Sequence, residues 1–461
     1  MRIQPPVLEI GDEDGFKPEW DIFGRAAFGH GLTNLVQTVE DPLVILLDSP
    51  WGSGKSTFLK MWAGELRKAG HPVIYFDAFA HDHIDNAFLA IAGEVIGLAK
   101  AKKDLEKSTI SRFVDKAAKT GRILLRSTIK VGVKAATLGA IDATDLEEEL
   151  KDISGDIAKA TSEHADDYVR NLLLRQSEEK ETLDSFRDAL GELAADMASD
   201  TGGEVDAQGR RPLIFILDEL DRCKPPFALD LLETIKHLFS VANVHFLLSA
   251  HLSQLEASAR YSYGSQIDAR LYLQKFYNFS ISFPNEHEEL RKTTRSIYIK
   301  HLSKQFGPLS QRDNEIEHMI EVLDLVAEAR QMPLRTIERI ATILTFSMAM
   351  TPKGNLRIPP IIIGLAVMKV CDPELFSRAK SGALALSDIE NVFEFQGWSP
   401  DKESEAETIR QWWMFCCEEK LPDDIGVDWQ YFARAYFRYS YGSRTRLVPL
   451  LARTVVERLS N

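Results

Sequence analysis

Residues 43–57 constrain the fold more than any other stretch of the chain. Leu43-Val-Ile-Leu-Leu47 is continuously apolar, as a parallel strand buried on both faces should be. It runs straight into Asp48-Ser-Pro-Trp-Gly-Ser-Gly-Lys-Ser-Thr57, after which Phe58, Leu59, Trp62 and Leu66 recur at helical spacing until Gly70. A strand feeding a glycine-rich turn that opens a helix aims several backbone N–H groups at one spot. The helix N-terminus adds partial positive charge there. Such a turn suits a phosphate. Lys55 can reach the β- and γ-phosphates, and the Ser56 hydroxyl is placed to ligate Mg²⁺. Trp51, Gly52, Ser53, Gly54 and Thr57 make up the rest of the phosphate loop. The strict pattern G-x-x-x-x-G-K-[ST] breaks at its first position, where Ser49 stands. That leaves the tightness of the loop open. An ordinary strand-to-helix turn is the bland alternative, and the strand before, the helix after and Gly52 argue against it.

A second element supports the first. Leu213-Ile-Phe-Ile-Leu217 is another buried-strand run, and it ends in Asp218-Glu219-Leu220-Asp221-Arg222-Cys223. An apolar strand that ends in an acid is what a Walker B element requires. Asp218 would hold Mg²⁺, directly or through water. Glu219 can orient an attacking water or take its proton. Val73-Ile-Tyr-Phe76, Val244–Ser249 and Ser280–Phe283 read as three further strands, and Asp21–Val39 and Leu229–Phe239 as helices. After Pro284 strand signals nearly vanish. The expectation is an α/β P-loop NTPase with a parallel sheet core, a helical insertion and an all-helical C-terminal region.

Length and charge narrow the class. A chain of 461 residues suggests about two to four domains. The boundaries expected are an arm at 1–19, a first core part at 20–100, a mainly helical insertion at 101–204, a second core part at 205–287, a helical lid at 288–350 and a C-terminal helical region at 351–461. The net charge of −14 disfavours general coating of DNA. Four cysteines without a C-x-x-C speak against a disulfide framework or a structural zinc. The start lacks the features of a signal peptide, so a cytoplasmic location is expected.

The motifs together resemble those of the KAP family of P-loop NTPases, within the STAND-like branch. Pro50-Trp-Gly-Ser-Gly-Lys-Ser-Thr57 and Asp218-Glu-Leu-Asp-Arg-Cys223 carry the resemblance. Phe23-Gly-Arg25, Tyr75-Phe-Asp-Ala-Phe79, Glu233–Phe239, Tyr272-Leu-Gln-Lys275 and Pro333-Leu-Arg335 add to it, over roughly residues 20–345. It implies ATP as ligand, with adenine preferred over guanine, and Mg²⁺ as cofactor. It implies a conformational or assembly switch, a homo-oligomer or effector protein partner, and a role in bacterial anti-phage defence. It also implies a sensor arginine at Arg335, or at Arg339, touching the γ-phosphate from the lid. The sequence departs from the family pattern at Glu219, often Asp in relatives, and at His251, where the strand ending in Ser249-Ala-His251 commonly ends in Asp. Arg222 is either structural or reaches a neighbouring subunit's nucleotide.

Other features admit two readings each. Arg122, Arg126, Lys130 and Lys134 recur every fourth residue. They form a solvated helix face, paired with Asp145–Glu149, or a peripheral membrane contact over 122–134. Arg434, Arg438, Arg444 and Arg446 interleave with Tyr431, Phe432, Tyr436, Phe437, Tyr439 and Tyr441. They are the rim and core of a helix, or a site for single-stranded nucleic acid. His81 and His83 flank Asp82 without a full set of metal ligands. Trp412-Trp413 and Cys416-Cys417 read as core. The function expected is ATP binding and hydrolysis with Mg²⁺. The alternatives are a nucleotide-binding scaffold with little hydrolysis, and a nucleic-acid-binding protein that uses the C-terminal segment.

Overall fold

The computed structural model describes residues 9–84, 86–102, 105–129, 165–199, 211–284, 288–305, 314–351, 357–418 and 444–457. Five strands form one all-parallel sheet: β1 (Leu43–Asp48), β2 (Val73–Asp77), β3 (Leu213–Asp218), β4 (Val244–Ala250) and β5 (Phe279–Ile281). Their order across the sheet is β2-β3-β4-β1-β5. The loop-bearing strand β1 and the acid-bearing strand β3 therefore both pair with β4, and their C-terminal ends lie on the same edge. All six residues of β3 and all seven of β4 are buried, which is why they read as unbroken apolar runs.

Side chains alternate across the sheet and build two cores. Ile45, Leu47, Ile214, Ile216 and Leu247 face α1 (Ala26–Thr38) and α2 (Lys55–Lys68), meeting Leu32, Val36, Phe58 and Trp62. Leu46, Phe76, Phe215, Leu217 and Phe246 face the other way. There they meet α3 (Ala87–Ala101), α4 (Lys107–Ile129), α5 (Ala165–Ser199) and α6 (Pro225–Leu238). Phe186 of α5 lies 5.1 Å from the Phe88 ring and 5.4 Å from the Phe239 ring. Phe113 of α4 and Phe186 of α5 are thus buried in the core on this face of the sheet.

A third core is built from helices that follow β5 in the chain. It joins Ile299 of α9 (Glu288–Gln305), Val326 of α10 (Asn314–Ala329) and Ile337 of α11 (Leu334–Met350) to Ile362 and Trp413 farther along the chain. Between β4 and α9 lie two shorter helices, α7 (Leu252–Tyr263) and α8 (Ala269–Leu273). Trp413 and Cys416 are buried in this core as expected, whereas Trp412 and Cys417 are half-buried against it. Among the described residues, no helix is long and apolar enough to cross a membrane.

Three expectations need adjustment. The first helix starts at Ala26, not Asp21, because the Asp21 carboxylate accepts from the N–H groups of Arg25 (2.7 Å) and Ala26 (2.9 Å) and holds the preceding turn. The helix after β3 starts at Pro225, where proline suits the first turn. The last strand is Phe279–Ile281, shifted one residue early and shortened. Residues 130–134 of the basic stripe, the acidic run at 145–149 and residues 431–443 lie outside the described residues.

Candidate functional site

The 48–57 turn is a compact loop at the C-terminal end of β1. Gly52 (φ 79°) and Gly54 (φ 83°) take left-handed backbone conformations, which glycine adopts without a Cβ clash. Ser49 has no positive φ, so the missing first glycine costs the loop nothing at that position. Ser49 instead continues the sheet, its N–H donating to Ala250 O at 3.2 Å. Its side chain is buried.

Lys55 opens α2 and is 9% exposed. Its ammonium donates to the carbonyls of Ser49 and Pro50, the latter at 3.3 Å. Burial pushes its pKa down, and the carboxylates of Asp221, Asp218 and Asp48 oppose that shift. An acidic edge thus faces the buried Lys55 ammonium, an arrangement suited to an anionic ligand together with a metal.

Asp218 ends β3 and is 2% exposed. Its Oδ1 accepts from the Glu219 N–H at 2.9 Å, and its Oδ2 from the Tyr75 hydroxyl at 2.7 Å. Glu219 sits at φ 59°, an uncommon conformation for a residue with a Cβ. Its carboxylate pairs with Arg222 at 2.7 Å. Burial raises the pKa of Glu219 and Arg222 lowers it. The Trp51 indole N–H donates to Asp221. Arg222 therefore turns back on its own Walker B turn.

Both elements open onto one cavity of about 510 Å³. It is lined by Trp51–Thr57, Asp218, Glu219, Asp221, Arg222 and Arg335. Every residue expected to bind phosphate, metal or the attacking water meets there. Arg335 comes from the first turn of α11, and a Cβ on Gly52 would lie 3.2 Å from its backbone N. Arg339, one turn on, is absent from the lining. The same cavity is also lined by the aromatic and apolar residues Trp20, Ile22, Phe23, Tyr298, Leu302 and Leu334, together with Glu19, Asp21, His301 and Glu338.

A metal fits the donor set only in one way. Among the described residues no group of three or more His, Cys, Asp or Glu could cage an ion. Ser56 and Asp218 offer one hydroxyl and one buried carboxylate. That suits Mg²⁺, which keeps several waters and takes phosphate oxygens as ligands. The His81 Nδ1 is 2.7 Å from Asp77 O, its ring stacks on Phe76 at 4.6 Å, and its Nε2 lies 3.8 Å from Glu94. His251, where relatives commonly have Asp, stands at the N-cap position of α7 without a side-chain cap bond, and its ring lies 6.0 Å from Trp51.

Sequence reasoning gave no role to three residues here. Tyr75 reaches Asp218 from a neighbouring strand, Asp221 anchors Trp51, and Arg25 braces the loop from beneath. Arg25 is 5% exposed, its Nη1 donates to Ser53 O at 2.9 Å, and its guanidinium lies 3.5 Å from the Phe283 ring centroid. Burial lowers its pKa to about 10. Only the Phe23-Gly-Arg25 motif signalled it.

No curated protein matches the chain. Among solved structures, the Aeropyrum pernix ORC2 protein in its ADPNP–ADP complexes aligns at 13% identity over 78% of this chain and 71% of its own, with a TM-score of 0.35. Its ADP form aligns at 14% identity over 83% and 73%, with a TM-score of 0.34. The KAP family P-loop domain matches residues 25–349. With its phosphate loop and its acid-ended strand meeting at one cavity, the chain belongs to the KAP family of P-loop NTPases.

Proposed function

We propose that the protein binds ATP with Mg²⁺ and hydrolyses it, using the cycle as a conformational or assembly switch. The observation that carries this is the convergence of Lys55, Ser56, Asp218, Glu219 and Arg335 on one cavity. The triphosphate would lie along the loop amides, with Lys55 leaving its own loop carbonyls for phosphate oxygens. The base would pack against the aromatic rings of Phe23 and Tyr298, whose centroids lie 6.3 Å apart. Ser56 and Asp218 would hold Mg²⁺, which supplies charge neutralisation at the phosphates. Glu219 would accept a hydrogen bond from the attacking water and take its proton. For that it must leave Arg222. Arg335 would meet the γ-phosphate from the lid, so that docking of the helical part depends on the nucleotide present.

One observation favours a second reading, a nucleotide-binding scaffold with little hydrolysis: the candidate base is engaged by Arg222 at 2.7 Å. ATP turnover and ATP affinity, measured with and without DNA, RNA and lipid vesicles, separate the two. Steady turnover that falls at least a hundredfold in Glu219→Gln, with binding kept, supports hydrolysis. Binding without turnover in every condition supports the scaffold. Wild-type affinity in Lys55→Ala would remove the phosphate site altogether.

A further inference from the structure

We propose that Tyr75 is a positioning residue for the metal-holding carboxylate of Asp218. The inference rests on reading residues 48–57 and 218 as an ATP and Mg²⁺ site. Tyr75 lies on β2, in register with Ile216 of β3. Asp218 is two residues beyond Ile216 and so shares its side of the sheet. The phenol spans that diagonal and donates to Oδ2 at 2.7 Å. On its other side, the Lys60 ammonium of α2 stands 6.0 Å from the ring.

The consequence follows from counting lone pairs. An ionised carboxylate has about four acceptor sites. At Asp218 the Glu219 N–H takes one on Oδ1 and Tyr75 takes one on Oδ2. The two left over are thereby fixed in direction. A carboxylate pinned on both oxygens cannot rotate to meet an ion. It offers a set arrangement to whatever arrives, which suits an ion with strict octahedral demands.

The test is titration of the full chain with a fluorescent ATP analogue, in EDTA and across Mg²⁺ concentrations. In Tyr75→Phe, affinity in EDTA stays within about twofold of the parent. The Mg²⁺ concentration for half-maximal tightening rises about tenfold, as loss of one hydrogen bond to a charged acceptor predicts. With Mn²⁺ in place of Mg²⁺, the EPR line shape of the bound ion also changes. An unchanged Mg²⁺ midpoint in Tyr75→Phe overturns the proposal. If that variant does not fold, 4-aminophenylalanine in place of Tyr75 keeps the shape but offers a weaker N–H donor. The Mg²⁺ midpoint then rises as well, and an unchanged midpoint overturns the proposal. A parent chain that binds no nucleotide in either buffer overturns the ATP-site reading and this inference with it. A parent that binds, with a variant that responds identically, overturns the role of Tyr75 alone.

Discussion

Glu219 and Arg222 form an ion pair at 2.7 Å within the turn that follows β3. Burial raises the carboxyl pKa, and Arg222 is the chief force lowering it. Removing the guanidinium in Arg222→Ala leaves burial and the nearby Asp218 unopposed, so the pKa rises. A general base works only when deprotonated, so the acid limb of the pH–kcat/KM profile, which reports the free enzyme that holds this pair, moves to higher pH. A limb that stays in place or moves down would show that Glu219 is not the titrating base.

Gly52 faces the backbone of Arg335. A Cβ there would lie 3.2 Å from the Arg335 N, on a backbone at φ 79°. Gly52→Ala should destabilise the fold by about 1–3 kcal/mol and weaken ATP binding. Gly31 is the control: it lies within α1, with nothing within 4 Å of an added Cβ. Gly31→Ala should stabilise by about 0.5–1 kcal/mol through helix propensity. Chemical denaturation of both variants checks the pair, and equal shifts would contradict the packing described.

Arg25 holds the phosphate loop by one hydrogen bond to Ser53 O and by stacking on Phe283. Arg25→Lys keeps a charge but loses the planar fork and the stack. A loss of about 2–4 kcal/mol is expected, since a buried charge then lacks its fitted partners. Thermal or urea unfolding measures it. A change below about 0.5 kcal/mol, the scale of an ordinary surface substitution, would remove Arg25 from the brace.

His71 gives the fold an acid sensitivity. It is 4% exposed, its Nε2 lies 3.0 Å from Gln37 Nε2, and burial pushes its pKa down to about 4. Between that value and the ordinary 6.5, the unfolded chain binds a proton that the folded chain refuses. Stability therefore falls as pH drops through that window, by up to about 3 kcal/mol from this group. His71→Leu should flatten the pH dependence of the urea midpoint between pH 7 and about 4.5. An undiminished slope would assign the sensitivity elsewhere.

How much of this was legible beforehand varies with the kind of interaction. The buried strands were readable because parallel strands covered on both faces need unbroken apolar runs, as in β3 and β4. The loop was readable because local backbone geometry demands Gly52 and Gly54, and phosphate chemistry calls for a lysine at position 55. Helix starts were less so, since the Asp21 carboxylate satisfies N–H groups that periodicity does not register. The contacts of Arg25 and Tyr75 span 28 and 143 positions, and no local pattern encodes such pairs.

The sequence by itself therefore determined the local chemistry of this protein: a phosphate turn, an acid-ended strand, and the order in which they come. Local rules suffice there, because φ preferences and side-chain periodicity act over a few residues. Tertiary structure alone decided that β4 stands between those two strands, that Arg222 folds back on Glu219, and that Tyr75 pins Asp218. Those outcomes depend on which strands pair and which side chains then come within 3 Å, a matter of the whole packed sheet.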